Sequence, residues 1–455
     1  MYTKSLIVLL LAAAAFGETV GRVSRVVAPD LYQLWGVSAA ARLSGHTLGS
    51  PYTDLRSYWA VLGRHAEGSS DPRLRAVHKL WPGLNPVSAP LLFVAFALLP
   101  DDYAMAAIVF ASLQALAFLA AMVLLGRLFR YDLFLFLCLA FILLRSYEPL
   151  SSDMRLGNVA TLQFLVLAGL LALGRHLRRP DRPRHGAALD ALFLAGLAVL
   201  ALAKLNLGLV VVCLALSFLL SSERRAALGA VLAAAGAGSL CVLIPSAYFR
   251  TRAVWFDWYV YTFGPGQGLA GRTVEQGNYS TTRIIADLLG VSIVIPVLAV
   301  AAVLGVGVIV AASRARAGWK ETLDRAARDP GSAMAIGITA TMAMAPVMWL
   351  HYYVWSLIPA LWVMHAGRSD SRLAGLGAAS VVLSSGALNV LLVLGGLTSL
   401  VPSVMASSWI PLWAAILLYL AKVPAMVGPR ATGRGGEGKT GRGPGRKLSV
   451  GVSRG

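Results

Sequence analysis

Charge is scarce in this sequence, and acidic charge scarcest of all. Only 13% of the 455 residues are charged, 21 of them Asp or Glu against 40 Lys or Arg, while 57% are hydrophobic. Mean hydropathy is +0.70. A soluble chain of this length would divide into two or more domains with polar surfaces, and that surface is missing here. Cysteine is nearly absent. Cys138, Cys213 and Cys241 each lie in an apolar run with no close-spaced His or Cys, which gives no basis for a disulfide framework or a thiolate metal site. No internal repeat stands out, which disfavours the inverted-repeat transporter folds. No soluble domain is present to dock on nucleic acid, so the net charge of +19 is better read as topology than as a nucleic-acid footprint.

What is present is a succession of apolar runs along almost the whole chain. A helix needs about 20 apolar residues to cross the hydrocarbon core, and backbone groups there must be satisfied within the segment. The expected fold is all-α, a polytopic transmembrane helix bundle of about 12 spans with a long first external loop. After a first helix within residues 4–16, for which a cleaved signal peptide is the alternative, spans are expected at about Tyr103–Leu125, Tyr131–Ser146, Asn158–Gly174, Ala188–Ala203, Leu207–Leu220, Ala226–Tyr248, Ala286–Ala312, Ala333–Leu350, Tyr352–His365, Ala374–Leu397 and Trp409–Val423. Residues 1–427 form the membrane domain, with external loops at about 21–86 and 249–285. Residues 428–455, rich in Gly, Arg and Lys with Glu437 the one acid, read as a disordered basic cytoplasmic tail.

Short basic connectors set the sidedness. Arg127 and Arg130, the run 175–184, Arg224 and Arg225, residues 314–328, and Arg368 with Arg372 fall on one side, which the positive-inside rule makes cytoplasmic. The opposite, external face then receives the loop carrying Asp54, Tyr58 and Trp59, the segment 145–158 with Arg155 and Asn158, the turn Lys204 to Asn206, the loop holding Asn278, and His351 with Tyr352. Within the first loop, residues 31–43 carry apolar residues at helical spacing, a pattern for a helix lying flat on the membrane. External cations run against the positive-inside bias. At the mouth of a bundle they suggest an anion, and a lipid-linked phosphate suits them because Arg and Lys bind phosphate oxygens through charge-assisted bonds. The alternative for each Arg is a snorkelling anchor at headgroup level. Asp101 and Asp102 offer too few oxygen ligands for a metal, and none is expected.

The ordered set of motifs resembles the GT-C class of membrane glycosyltransferases, and most closely glycosyltransferase family 87, the bacterial polyprenyl-phosphate-mannose-dependent mannosyltransferases. The features that carry the resemblance are Thr53 and Asp54 followed by Tyr58 and Trp59; the proline-rich entry from Asn85 to Pro90; Gly157 and Asn158 opening an apolar helix; Lys204 and Leu205 between two spans; Gly277, Asn278 and Ser280; and His351 to Val354 entering a late span. Asn158 stands where that family commonly has Gln, and Gly208 where a Pro commonly follows the Lys-Leu pair.

The resemblance implies transfer of a sugar, with mannose expected, from a polyprenyl-phosphate donor to a glycolipid or glycan hydroxyl. The reaction is expected at the external face of the cytoplasmic membrane, with inversion and with no cofactor beyond the donor. Asp54 is expected as base, with His351 assisting. Arg155, Lys204, Asn158 and Asn206 would hold the donor phosphate, and Tyr58, Trp59, Asn278 and Tyr352 would contact sugar or lipid. The competing reading is a transporter or flippase of lipid or lipid-linked sugar.

Overall fold

The computed structural model describes residues 13–14, 17–18, 20–21, 28–80, 88–178, 186–221, 224–264, 277–315 and 318–426. The expected first helix falls largely outside the described residues, as does the basic tail. The described chain is helical: α1 Pro29–Leu43, α2 Leu55–Gly68, α3 Pro72–Leu80, α4 Pro90–Phe96, α5 Tyr103–Leu128, α6 Leu133–Ser146, α7 Glu148–Leu156, α8 Ala160–His176, α9 Gly186–Ala203, α10 Gly208–Leu219, α11 Arg224–Tyr248, α12 Val254–Phe263, α13 Thr281–Leu289, α14 Val294–Ser313, α15 Trp319–Arg328, α16 Pro330–Met344, α17 Leu357–Ala366, α18 Ser371–Ser384, α19 Ala387–Leu394, α20 Val401–Ala406 and α21 Trp409–Met426. Extended pairing among the described residues is one isolated antiparallel bridge, Asn278 with Trp349.

Four described helical segments are long and apolar enough to cross a membrane, Tyr103–Leu128, Ala227–Tyr248, Val294–Ser313 and Thr398–Lys422. Two bent pairs, α6 with α7 at 58° and α18 with α19 at 55°, raise the number to six if each is one broken span. This makes a multi-pass membrane protein, with fewer full-length spans among the described residues than the twelve expected from the apolar runs. The reason is length. Several runs fold as helices of 10–17 residues, and at 1.5 Å per residue a 17-residue helix such as α8 reaches only about 26 Å. The expected span at Tyr352–His365 is instead a 3-10 segment, Leu350–Ser356, followed by the ten-residue α17. Both are buried almost throughout, so protein rather than lipid surrounds them.

Two apolar cores hold the molecule. The larger joins α5 to α11 with α14 to α18 and α21, around Phe118, Phe164, Leu171, Met334, Trp355 and Ile416. The second joins α1 to α4, the start of α5 and α12, around Tyr32, Trp35, Tyr58, Phe93 and Phe110. α1 lies within this second core. Nine of its ten residues from Leu31 to Ala40 are buried, so it does not lie flat on a membrane surface. Its apolar and small residues run all round the helix, the pattern of a buried helix rather than an amphipathic one.

The basic connectors meet at one end. Arg175 lies 5.1 Å over the Phe129 ring and Arg368 5.0 Å over the Tyr131 ring. Arg368 also donates to the carbonyls of Phe129 and Arg130 at 2.7 Å, and Lys422 pairs with Asp370. Helices α8 and α17 both run toward this end, finishing at His176 and Ala366, while α9 and α16 start from the connectors 177–185 and 318–329. Their other ends carry Asn158, Lys204, the loop 345–349 and His351. The polar residues of interest therefore gather at the end of the bundle opposite the basic connectors.

Candidate active site

Four chain breaks build this end. The first is the start of α1. Pro29 occupies the first helical position, where its missing N–H costs nothing, and Asp30 follows in the first turn, where a carboxylate complements the helix dipole. The second is the turn between α7 and α8. Gly157 takes the left-handed conformation, φ 70°, which ends α7 and delivers Asn158. The third is Lys204, extended at φ −154° between α9 and the 3-10 turn Leu205–Leu207. The fourth is the 3-10 segment that opens at Leu350 and carries His351.

These breaks converge. The Asn158 Nδ2 donates to Asp30 Oδ2 at 2.7 Å, and the Asn158 Oδ1 accepts from the Val159 amide at 2.7 Å. Burial pushes the Asp30 carboxyl above the usual carboxylate range, while the Asn158 bond and the positive charge of Lys204 pull it back down. A basic carboxylate beside a cation is the result. The Lys204 Nζ sits 4.7 Å from the centre of the Tyr352 ring, a cation–π contact. Tyr352 in turn stacks on Trp355 at 4.9 Å and 6°, and the Trp355 indole donates to Ala160 O at 3.1 Å. The platform under Lys204 is thus tied back to the start of α8.

His351 stands edge-on to Tyr352, ring centres 4.5 Å apart. It is 3% exposed, and neither ring nitrogen has a hydrogen-bond partner among the described residues. Burial first, and the Lys204 charge second, hold it well below the ordinary histidine range, so it is a neutral imidazole. A buried polar group without a partner is costly, and the His351 ring is therefore able to take a ligand or a water. The Asn206 Oδ1, on the same turn as Lys204, is a second such atom.

The remaining sequence candidates lie in other settings. Asp54 is exposed and is the N-cap of α2, accepting from the Ser57 amide at 3.2 Å. No described contact joins it to Asn158, Lys204 or His351. Arg155 is exposed and paired with Glu148. Tyr58 is buried and donates to Gly49 O at 2.7 Å. Trp59 stacks on His78 at 3.9 Å and 17°, and the His78 Nδ1 bonds the Tyr32 hydroxyl at 2.6 Å. Asn278 uses both side-chain atoms on backbone. Its Nδ2 donates to Pro346 O at 3.0 Å, and its Oδ1 accepts from the Ser280 and Met348 amides at 3.1 and 2.9 Å. This clamps the loop that leads into His351.

Asp30 is the residue that inspection of the sequence passed over. Its signal was local: proline then acid at the head of an apolar helix. Among the described residues no group of three or more His, Cys, Asp or Glu is placed to hold a metal.

A carboxylate, a lysine and a neutral histidine converging at one end of a membrane bundle suit group transfer from an anionic lipid carrier. The model of glycosyltransferase family 87 matches residues 84–329, more than half of the chain. The chain belongs to glycosyltransferase family 87. It is accordingly a membrane glycosyltransferase of the GT-C class, in a family that depends on polyprenyl-phosphate sugars. The matched region of this family 87 enzyme includes Asn158 and Lys204, while Asp30 and His351 lie on either side of it. No curated protein and no solved structure matched the chain.

Proposed function

We propose that this family 87 glycosyltransferase moves mannose from a polyprenyl-phosphate donor to a hydroxyl of a glycolipid or glycan, at the external face of the cytoplasmic membrane and with inversion. One observation carries the reading: Asp30, Lys204 and His351 meet at the end of the bundle away from the basic connectors. By the positive-inside rule the connectors are cytoplasmic, so the site is external. Nucleotide sugars are cytoplasmic, and an external site calls for a lipid-carried donor. The full complement of about a dozen spans belongs to this same reading, with the shorter helices crossing a locally thinned bilayer and Leu350–Ala366 crossing inside the protein.

The reacting carboxylate in this proposal is Asp30. It accepts the proton of the acceptor hydroxyl as that oxygen forms its bond to the anomeric carbon. The bond from that carbon to the phosphate oxygen breaks with its electron pair, and the polyprenyl phosphate leaves. The raised basicity of Asp30 favours the proton transfer, since a base works best when its pKa approaches the operating pH. Lys204 faces the leaving phosphate, whose negative charge grows in the transition state. His351, neutral, donates one ring N–H to a phosphate oxygen. Asn206 completes the lining. Asp54 is the rival base. Its exposed position in the first loop favours it, but its carboxylate is already engaged as a helix cap.

The test is transfer by the purified protein in lipid, using labelled polyprenyl-phosphate-mannose and a panel of membrane glycolipids. An inverted mannoside product supports the proposal. Movement of labelled lipid between leaflets without any glycoside product would instead make the site that of a flippase.

A further inference from the structure

Asn158 touches Asp30 from a turn that is itself fixed from behind by groups the proposed reaction does not use. The Asp153 side chain is fully buried. Its Oδ1 accepts from the Ala160 amide at 3.1 Å, and its Oδ2 accepts from the Thr161 amide at 2.9 Å, the Thr161 Oγ1 at 2.5 Å and the Gln114 Nε2 at 3.1 Å. The Asp153 carbonyl accepts from the amides of Gly157 and Asn158 at 2.9 and 3.0 Å. The Gln114 Nε2, reaching in from the middle of α5, also donates to the carbonyls of Asp153 and Asn158 at 3.1 and 2.7 Å. Gln114 is itself fully buried. The amides of Gly157 and Asn158 and the carbonyl of Asn158 are therefore tied to this pair.

A buried carboxylate is costly, and a hydrophobic residue would fill the same space. What the carboxylate supplies is direction. It holds the first turn of α8, the Gly157–Asn158 bend and α5 in one register. We infer that Asp153, held by Gln114 and Thr161, is a positioning group that sets the Asn158 amide against the Asp30 carboxylate. A Cβ on Gly157 would overlap Leu31 and come within 3.2 Å of Ala28 Cβ, so the bend has no room to drift without moving α1. The inference rests on Asp30 as the reacting carboxylate only for its kinetic consequence. The positioning itself is a matter of whether Asn158 stays on Asp30.

Among the described residues, Asn158 and Lys204 act on Asp30. Lys204 acts from the α9 end, with His351 behind it. Tyr103 of α5 donates to Ala28 O at 3.2 Å. From α3, His78 bonds Tyr32. Removing the Asn158 bond takes away a contact that favours the charged carboxylate, so the protonation midpoint of Asp30 should rise.

The experiment reads that midpoint directly. Infrared spectra of the full chain in lipid, with labelled aspartate, give the Asp30 carboxyl band, identified by its loss in Asp30→Asn. Its pH titration is compared in wild type, Asn158→Ala, Gln114→Leu and the double variant. The expected result is an upward shift in Gln114→Leu in the same direction as Asn158→Ala, no further shift in the double variant, and a fall in turnover on the order of 10–100-fold with donor KM unchanged. Thr161→Val should behave like Gln114→Leu, and Thr161→Ser, which keeps the hydroxyl, should restore the wild-type midpoint. This pair serves if Gln114→Leu does not fold. An unchanged midpoint in Gln114→Leu or Thr161→Val, with Asn158→Ala shifted, overturns the inference. Wild-type turnover by Asp30→Asn would sink Asp30 as base while leaving the titration comparison intact.

Discussion

The bundle and the cap of helices α1 to α4 are both built around buried apolar residues, but they are held differently. In the bundle, aliphatic and small side chains dominate, and the fewer aromatic rings also reach backbone, as the Tyr147 hydroxyl does at Tyr353 O, 3.0 Å. In the cap, aromatic rings carry the packing and their polar tips find backbone. The Trp35 indole donates to Pro100 O at 2.8 Å, the Tyr52 hydroxyl to Ser88 O at 2.7 Å, and the Tyr58 hydroxyl to Gly49 O at 2.7 Å. Aromatic residues allow this because each offers a large apolar body and one polar handle. A segment too polar to span a membrane can therefore still pack a core and sit on the bundle as a defined unit. The candidate site lies on the seam. Asp30 belongs to the cap, and Lys204 and His351 belong to the bundle.

The comparison predicts where the protein is fragile in function and where only in stability. Below the loss expected on removing the Asp30 carboxylate itself, the largest effect is expected on the bundle side of the seam. Lys204→Met removes the cation proposed to face the donor phosphate. A hydrogen bond to a charged group is worth roughly 1.5–3 kcal/mol, so affinity for polyprenyl-phosphate-mannose should fall about 10–100-fold, read from KM or from labelled donor binding. Unchanged donor affinity would remove Lys204 from the phosphate site.

Gly157→Ala strikes the seam itself. The left-handed backbone costs a residue with a Cβ about 1–2 kcal/mol, and the overlap with Leu31 adds to it. The expected outcome is a fall in turnover larger than the loss of thermal stability would explain. A variant that is less stable but fully active would show that cap and bundle need not hold register.

The pH profile sharpens the same contrast. Burial raises the Asp30 carboxyl, so its charged form, the one that accepts a proton, is lost at a higher pH than for an ordinary carboxylate as acid is added. The acid limb of kcat/KM should accordingly lie above the ordinary aspartate range. His351 is held neutral by burial and Lys204, so it should add no second limb near pH 6.5. A limb at the histidine position that disappears in His351→Gln would contradict this assignment.

The smallest effect belongs to the cap. Asp54→Ala removes the N-cap of α2 and should cost about 1 kcal/mol, seen as a lower thermal midpoint with turnover nearly unchanged.

Much of this arrangement was legible in the sequence, for physical reasons. Long apolar runs have one structural solution in lipid, and the helical class follows from them. Lys204 and His351 stood out because each interrupts a run. The number of full crossings was less legible, because an apolar run does not show whether lipid or protein will surround it. The segment from Leu350 to Ala366 looks like a span and is a buried interior element. Asp30 escaped notice because its decisive partner, Asn158, is 128 residues away, and no local pattern encodes that contact. Asp54 drew attention through the aromatic residues after it, and those aromatics turn out to pack the cap.

The most direct test sets two conservative variants side by side. Asp30→Asn and Asp54→Asn, each purified in lipid, are assayed with the same labelled polyprenyl-phosphate-mannose and the same acceptors. The account predicts that Asp30→Asn loses turnover by roughly 10²–10⁴-fold while still binding donor, and that Asp54→Asn transfers at close to the wild-type rate. Loss of transfer in Asp54→Asn with activity retained in Asp30→Asn would contradict it and move the chemistry from the seam to the exposed loop.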